Sequence, residues 1–368
     1  MPARDIPSDE HYMRQALRLA RQSPTPPYPN PWVGCVVVRG GKIAGRGFHR
    51  GVGTSHAEVD ALAQAGRRTR GATLYVNLEP CCHQGRTPPC TNAILEAGVG
   101  RVVYALRDPN PAVSGRGAEI LKRNGVQVAE GMCAAEAAAL NEIYLKYRLT
   151  GLPFVTAKVA ATLDGKIATR RGGSKWITDA AARRHARMLR GWNQAIAVGI
   201  NTVLSDNPHL GPRAAGASEP WRVVLDSALR TPPRAHVVKS GRCIVACTRS
   251  ASPRRRQALL QAGAQVWSFP GVRVPLRSLL RRLAAKGILS LLVEGGGEVL
   301  GSFLDRDLVD RVYWYLAPSI VGSTKSRAAV AGRGVAHLSQ ARRLRNVSIH
   351  AVGNAWLIRG DLSRWALS

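Results

Sequence analysis

The chain has 368 residues, 45% of them hydrophobic, which suits about two globular domains. It holds no apolar run of about 18 residues and opens on the polar stretch Met1–Tyr12, so neither a transmembrane helix nor a secretory signal is expected. A net charge of +30 would suit a nucleic-acid partner, yet its 44 Arg and 9 Lys are dispersed, and no aromatic residues interleave with the dense run Arg254-Arg255-Arg256 to stack bases.

Residues 9–22 repeat apolar positions Met13, Ala16, Leu17 and Ala20 at three- and four-residue spacing, which predicts an amphipathic helix. A proline-rich loop follows from Pro24 to Pro31. Val33–Val38 and Lys42–Phe48, joined by Gly40-Gly41, read as a hairpin. A helix is expected over His56–Ala65, a strand over Thr73–Leu78, a helix over Thr91–Ala97 and a strand over Arg101–Ala105. Gly115–Asn124 reads as helix, Gln127–Ala129 as strand, and Ala134–Leu149 as one long helix. Strands alternating with helices imply a mostly parallel sheet covered on both faces.

Within this half, His56-Ala57-Glu58 is answered by Glu79-Pro80-Cys81 and by Cys90. One imidazole and two thiolates suit a zinc ion that keeps a fourth position for water. The metal makes that water acidic near neutral pH. A glutamate two residues after the histidine suits the proton carrier of a hydrolytic deaminase. The pattern departs from P-C-x-x-C, because position 84 is Gln and the next usable thiol is Cys90. A closed structural site completed by Cys82 or His83 is the alternative, but it has no use for Glu58. The chain has seven cysteines, and without an export signal they are read as reduced, in a cytoplasmic protein. Cys243 and Cys247 flank Ile-Val-Ala and read as strand residues rather than a metal pair.

Gly151-Leu152-Pro153 marks a boundary, since glycine ends helices and proline forbids their continuation. It separates residues 1–150 from residues 151–368. Beyond it, Phe154–Val159 reads as a strand, and Thr162–Ala168 as a turn into another. A helix is expected to end at Leu189, followed by a strand at Ala195–Gly199 that feeds a short helix and the loop Asp206-Asn207-Pro208. Further strands are expected at Arg222–Asp226, Cys243–Thr248 and Leu291–Glu294. Gly295-Gly296-Gly297 then opens a helix, where backbone N–H groups can approach a phosphate. It is not a Rossmann fingerprint, because the third glycine of that motif is Leu300.

The run Pro80-Cys81-Cys82-His83-Gln84-Gly85-Arg86-Thr87-Pro88-Pro89-Cys90 resembles the zinc loop of the bifunctional riboflavin-biosynthesis deaminase/reductases. Pro29-Asn30-Pro31, Phe48-His49 and Asp108-Pro109-Asn110-Pro111 resemble the same family. So do Leu163-Asp164-Gly165-Lys166, Ser174-Lys175-Trp176-Ile177-Thr178, the stretch Asn201–Pro208 and Val293-Glu294-Gly295-Gly296. The resemblance spans roughly residues 9 to 360. It implies an α/β chain with an N-terminal cytidine-deaminase-like three-layer domain, followed by a dihydrofolate-reductase-like domain.

The likeness implies zinc held by His56, Cys81 and Cys90, with Glu58 as the catalytic proton carrier. Asn30, His49, Arg86, Asp108 and Asn110 would contact the first substrate, although Asn30 and Asp108-Pro109 also suit plain turns. In the second half, Ala160, Trp176, Thr202, Asp206 and the stretch Gly296, Gly297, Glu298, Val299, Leu300, Gly301, Ser302 would face NADPH. Ser174, Arg190, Leu210, Arg213 and Glu294 would face the second substrate, with Lys158 and Asp206 as candidates for proton or polar assistance.

The implied activity is zinc-dependent deamination of a phosphoribosyl-aminopyrimidine, then NADPH-dependent reduction of its ribosyl group. The expected partner is that small molecule, with no nucleic acid, no membrane and a homo-oligomeric state. The competing readings are a nucleic-acid base deaminase with a basic binding module, and a zinc-stabilised scaffold. The first would lack the motifs between residues 154 and 302, and the second would hold stoichiometric zinc with no activity on any aminopyrimidine and no NADPH binding.

Overall fold

The spacing of Met13, Ala16, Leu17 and Ala20 does form a helix, α1 (Asp9–Ala20), capped by the Ser8 side chain and burying all four residues. In the computed structural model, which describes residues 8–23, 26–85, 87–212 and 219–362, the chain divides into two compact units between Gly151 and Leu152.

The first unit continues through β1 (Gly34–Arg39), β2 (Lys42–Phe48), α2 (Ala57–Ala65), β3 (Thr73–Val76), α3 (Cys90–Glu96) and β4 (Arg101–Tyr104). It ends with α4 (Arg116–Arg123), β5 (Gln127–Glu130), α5 (Ala134–Leu140) and α6 (Glu142–Thr150). Its five-stranded sheet has the order β2-β1-β3-β4-β5. The sheet is mixed rather than mostly parallel: β3, β4 and β5 run parallel, while β1 is antiparallel to both neighbours. Alternate residues of one strand serve opposite faces. Cys35 and Val37 pack with Ala61, Ile94 and Leu121 on one side, and Val36 and Val38 pack with Met13, Leu17 and Leu145 on the other. Three layers result.

The long helix expected over 134–149 is two helices. Asn141 interrupts it, because its buried carboxamide accepts from Trp32 N–H at 2.8 Å and donates to Trp32 C=O at 3.0 Å. Side-chain bonding to a distant backbone competes with helix continuation.

The second unit begins with β6 (Phe154–Thr162), α7 (Ala180–Gly191), β7 (Ala195–Gly199), α8 (Ile200–Asp206), β8 (Trp221–Leu225) and α9 (His236–Lys239). Then come β9 (Cys243–Thr248), α10 (Pro253–Gln261), β10 (Gln265–Phe269), α11 (Leu276–Ala285), β11 (Ser290–Val293) and α12 (Gly297–Leu304). It closes with β12 (Arg311–Ala317), β13 (Arg345–Val352) and β14 (Ala355–Asp361). The nine-stranded order is β10-β9-β8-β7-β11-β6-β12-β14-β13. The strands from β10 to β12 in that order are parallel, and the β13–β14 hairpin adds an antiparallel edge. Cys243 and Cys247 are buried in β9, as strand residues.

No strand forms at Ile167–Ala168. Lys166 makes an isolated bridge to Ala328, and the Ile167 N–H donates to Arg327 C=O at 2.9 Å, so this stretch is tied to a later loop. Among the described residues, no helix is long and apolar enough to cross a membrane.

Candidate active sites

His56 lies at the N-cap of α2, and Glu58 in its first turn. Two glycines of β2 let α2 approach closely. A Cβ on Gly45 would stand 2.1 Å from the Ala61 carbonyl oxygen, and one on Gly47 2.1 Å from that of Ala57. Cys81 follows β3 by way of Glu79-Pro80, and Cys90 opens α3. His56 Nδ1 lies 3.1 Å from Cys90 Sγ and 3.5 Å from Cys81 Sγ.

These three residues form a group whose ligand atoms lie within 4.8 Å of one another. Ligand atoms 2.0–2.3 Å from a tetrahedral zinc stand about 3.5 Å apart, so the donor set fits that ion. Cys82 and His83 lie outside the group. Cys82 Sγ is turned to the Ala112 carbonyl at 3.5 Å, so neither residue closes the site.

The electrostatics follow from packing. The Cys90 thiol and the His56 ring hold Cys81 well below the usual thiol range, against burial. Cys90, next to that thiolate and buried, is driven up. The hydrogen bond with Cys81 raises His56. Burial, with Cys81 adding to it, pushes the Glu58 carboxyl up to about 6.

Asn30 and His49 come together beside this group. Asn30 Nδ2 lies 2.9 Å from His49 Nε2, and the His49 and His56 rings meet edge-on at 5.6 Å. Asp108 is buried, accepting from Tyr144 O–H at 2.8 Å and from Asn110 N–H at 2.9 Å. Asn110 Oδ1 in turn accepts from Ala112 N–H at 3.3 Å. Both carboxyl and carboxamide oxygens are thus engaged in successive turns. Arg86 lies outside the described residues.

Glu79 carries more of this site than its motif suggested. Its buried carboxylate accepts from the backbone N–H groups of Asp108, Gly115 and Ala118 at 3.3, 2.9 and 3.2 Å. It thereby fastens the segment before Cys81 to the Asp108 loop. The N–H donors lie 29 to 39 residues away, which no local pattern discloses.

The second unit contains a cavity of about 1230 Å³ at the C-terminal ends of its parallel strands, where such sheets place ligands. Ala160, Trp176, Thr202, Asp206, Gly296, Gly297, Glu298, Val299, Leu300 and Ser302 line it, as do Ser174, Arg190, Leu210 and Glu294. Gly301 does not. A Cβ there would meet Gly332 N at 2.3 Å, so this glycine serves packing. Arg213 lies outside the described residues.

The triple glycine divides its work. Gly295 accommodates Val299 and Gly297 the Ala328 carbonyl, whereas Gly296 has open space. An open glycine at a helix N-terminus is a fit place for a cofactor phosphate.

Glu294 anchors the polar wall. Its carboxylate accepts from Arg190 Nε at 2.8 Å and Nη2 at 2.9 Å, and Lys158 Nζ lies 3.2 Å away. Burial alone pushes Glu294 up, but Lys158 and Arg190 outweigh it and hold the carboxyl at about 2. Tyr315, on β12, also lines the cavity, with its O–H 2.7 Å from His185 Nδ1. No sequence motif singled out that pair, which is 130 residues apart.

Known proteins match both halves. Residues 6–106 match the cytidine and deoxycytidylate deaminase zinc-binding region, and residues 153–358 the RibD C-terminal domain. The riboflavin biosynthesis protein RibD of Aquifex aeolicus is 41% identical over 351 residues, covering 95% of this chain and 97% of that protein. The Escherichia coli protein of the same name is 39% identical over 362 residues, covering 94% and 97%. The structure of Acinetobacter baumannii RibD superposes with a TM-score of 0.86 at 37% identity, covering 97% of this chain and 99% of that one. The diaminohydroxyphosphoribosylaminopyrimidine deaminase/5-amino-6-(5-phosphoribosylamino)uracil reductase of Thermotoga maritima gives 0.81 at 35%, covering 96% and 98%. The expected order holds, a cytidine-deaminase-like unit followed by a reductase unit. With both halves present along nearly its whole length, the chain belongs to the RibD family, the bifunctional deaminase/reductases of riboflavin biosynthesis.

Proposed function

We propose that residues 1–150 deaminate 2,5-diamino-6-(5-phosphoribosylamino)pyrimidin-4(3H)-one, and that residues 151–368 then reduce the ribosyl group of 5-amino-6-(5-phosphoribosylamino)uracil to the ribityl form. One observation carries this reading: a single chain holds the His56, Cys81 and Cys90 donor set beside buried Glu58, and also a wide cavity walled by Lys158, Arg190 and Glu294. The two activities in the name of the Thermotoga maritima relative support the same pair of substrates.

In the first step, His56, Cys81 and Cys90 would hold zinc, which when bound supplies an acidified water near neutral pH. Glu58 works as the proton carrier. A carboxyl raised to about 6 both takes and gives a proton near pH 7, and Glu58 passes it to the departing ammonia. Asn30 and His49 orient the pyrimidine, and Arg86, Asp108 and Asn110 complete the substrate contacts.

In the second step, Gly296, Thr202, Asp206, Trp176 and Ala160 would hold NADPH, which supplies a hydride. Glu294 keeps Arg190 and Lys158 extended along the cavity wall. There they meet the phosphoribosyl group, with Ser174 and Leu210 as neighbours; Arg213, outside the described residues, is a further contact of the same proposal. Arg190 contributes positive charge at the wall rather than a bidentate grip, because its Nε and Nη2 are engaged by Glu294 and its Nη1 donates to Gly211 C=O at 3.2 Å.

The partner is this small molecule rather than nucleic acid or membrane. Homo-oligomeric association belongs to the same proposal. It is supported by an uncharged face of the β13–β14 edge, where Ile349, Ile358 and Trp314 fall in one register row and Trp356 in the next. Ile349 is 62% and Trp356 45% exposed. Like-charge repulsion at net +30 leaves such a face as the place for two copies to meet. Light scattering should report an oligomer for the wild type and a smaller species for Ile349→Glu; equal masses would remove the face from the proposal.

The diamino substrate, supplied with and without NADPH, tests the main reading. Ammonia should appear in both, and NADPH should be oxidised only after ammonia release. Oxidation without prior deamination, or deamination of RNA in its place, would overturn it.

A further inference from the structure

The departure of the cysteine spacing from P-C-x-x-C is left unexplained by the zinc set itself. Cys81 and Cys90 are held close at the two ends of their loop: Thr91 N–H donates to Cys81 C=O at 3.1 Å, and Cys90 N–H to Cys81 Sγ at 3.3 Å. The described residues between them, 82–85 and 87–89, therefore leave the site and return to it. Gly85 N–H bonds to Thr87 C=O at 3.2 Å within it, and Pro88-Pro89 restrict the return.

At the far side of His56 from the thiols, Thr87 Oγ1 lies 3.2 Å from Nε2. Among the described residues it is the hydrogen-bond partner of that nitrogen. His49, the nearest other ring, has its own nitrogens engaged with Asn30 Nδ2 and Ser55 C=O.

We infer that Thr87 is a positioning residue for the metal ligand His56: its hydroxyl accepts the Nε2–H and so fixes the tautomer whose Nδ1 lone pair faces Cys81 and Cys90. The inference rests on the zinc reading above. Nδ1 is the nitrogen that approaches both sulfurs. A histidine that ligates through Nδ1 carries its proton on Nε2, and that proton needs an acceptor in a half-buried ring. Metal-ligating histidines ordinarily give their other N–H to such a partner, which orients the ring and raises its basicity. A two-residue loop between the cysteines has too little length to reach around the imidazole. The eight residues here supply it, so the long spacing acquires a function.

The test uses the full chain, stripped of metal and titrated with zinc against a chelator of known affinity. Thr87→Val keeps the shape and removes the acceptor; Thr87→Ser keeps the acceptor. We expect Thr87→Val to weaken zinc binding about 10–100-fold, the usual effect of losing such a partner, and Thr87→Ser to bind as the wild type does. Circular dichroism and a urea midpoint establish that each variant is folded. Should Thr87→Val fail to fold, ¹⁵N resonances of the His56 ring in the metal-free wild type, where no metal dictates the tautomer, decide the matter. An Nε2–H tautomer is the expected result. Wild-type zinc affinity in a folded Thr87→Val, or an Nδ1–H tautomer, overturns the role of Thr87. A wild type that takes up no zinc overturns the zinc reading and this inference together.

Discussion

Glu58 and Glu294 are both buried carboxylates, and their neighbours drive them in opposite directions. Burial and the Cys81 thiolate raise Glu58. Around Glu294 the two cations Lys158 and Arg190 prevail over burial. The first is therefore suited to moving protons and the second to holding other groups still. Glu58→Gln keeps the shape but cannot carry a proton, and general acid–base help is worth about 10²–10⁴-fold. Deaminase turnover should fall by that factor with zinc content retained; near-normal turnover would remove Glu58 from the chemistry. For Glu294 the sign is that of a depressed carboxyl. Its contribution to stability is present above its ordinary value of 4.5 and is lost as pH falls to about 2. At about 1.4 kcal/mol per pH unit, that contribution is ~3 kcal/mol. Urea unfolding of the wild type against Glu294→Gln should show this difference at pH 7 and a shrinking one below pH 4.5. A difference independent of pH would assign the loss to packing instead. At this scale the candidate donor group of His56, Cys81 and Cys90 was legible, because each sits in a short motif. Glu79, Thr87, Tyr315 and His185 were not, because their partners lie far along the chain.

Helix α2 is set on its sheet by absence of side chains. Gly45 and Gly47 leave the space that the Ala61 and Ala57 carbonyls occupy, and the first turn of α2 carries His56 and Glu58 into the site. In Gly47→Ala the added methyl would stand 2.1 Å from the Ala57 oxygen, so the helix start must shift. Overpacking of this kind costs about 1–3 kcal/mol, and displaced ligands should cost zinc affinity as well. A Gly47→Ala protein with wild-type zinc uptake and deaminase rate would show that α2 tolerates the shift. Asn141 gives the complementary case, an element broken by a distant contact. Asn141→Ala should favour a continuous helix while stranding the Trp32 N–H, at a cost of about 1–3 kcal/mol where buried, whereas the Trp32 C=O keeps its bond from Asn77 Nδ2 at 2.8 Å; an unchanged urea midpoint would refute that. Elements with their own periodicity or punctuation, such as α1, the β1–β2 hairpin and the helix after the triple glycine, were readable from sequence. The break at Asn141 was not, since the alanine-rich pattern runs through it and only the fold brings Trp32 near. Nor were β13 and β14 readable as strands. β13 is exposed along most of its length, and in β14 the unbroken apolar run Ala355-Trp356-Leu357-Ile358 hides the alternation of burial that the sheet imposes.

Across the whole molecule, the two chemistries have separate foundations. The cores of the first unit draw on residues from Tyr12 to Leu145, and those of the second on residues from Leu152 to Leu362. Each sheet is built within one unit. Gly151 ends α6 in the left-handed conformation, at φ 68°, which glycine adopts without penalty. The zinc donor set lies wholly before this point and the cavity wholly after it. Each half also exceeds the length at which domains commonly fold alone. Residues 1–150 should therefore deaminate without NADPH, and residues 151–368 should oxidise NADPH when given the deaminated intermediate. Chelation of zinc in the full chain should stop the first reaction and spare the second. The separation fails if a folded, soluble 151–368 fragment binds neither NADPH nor the intermediate. It also fails if Cys81→Ser, in a full chain that remains folded, stops reduction of supplied intermediate.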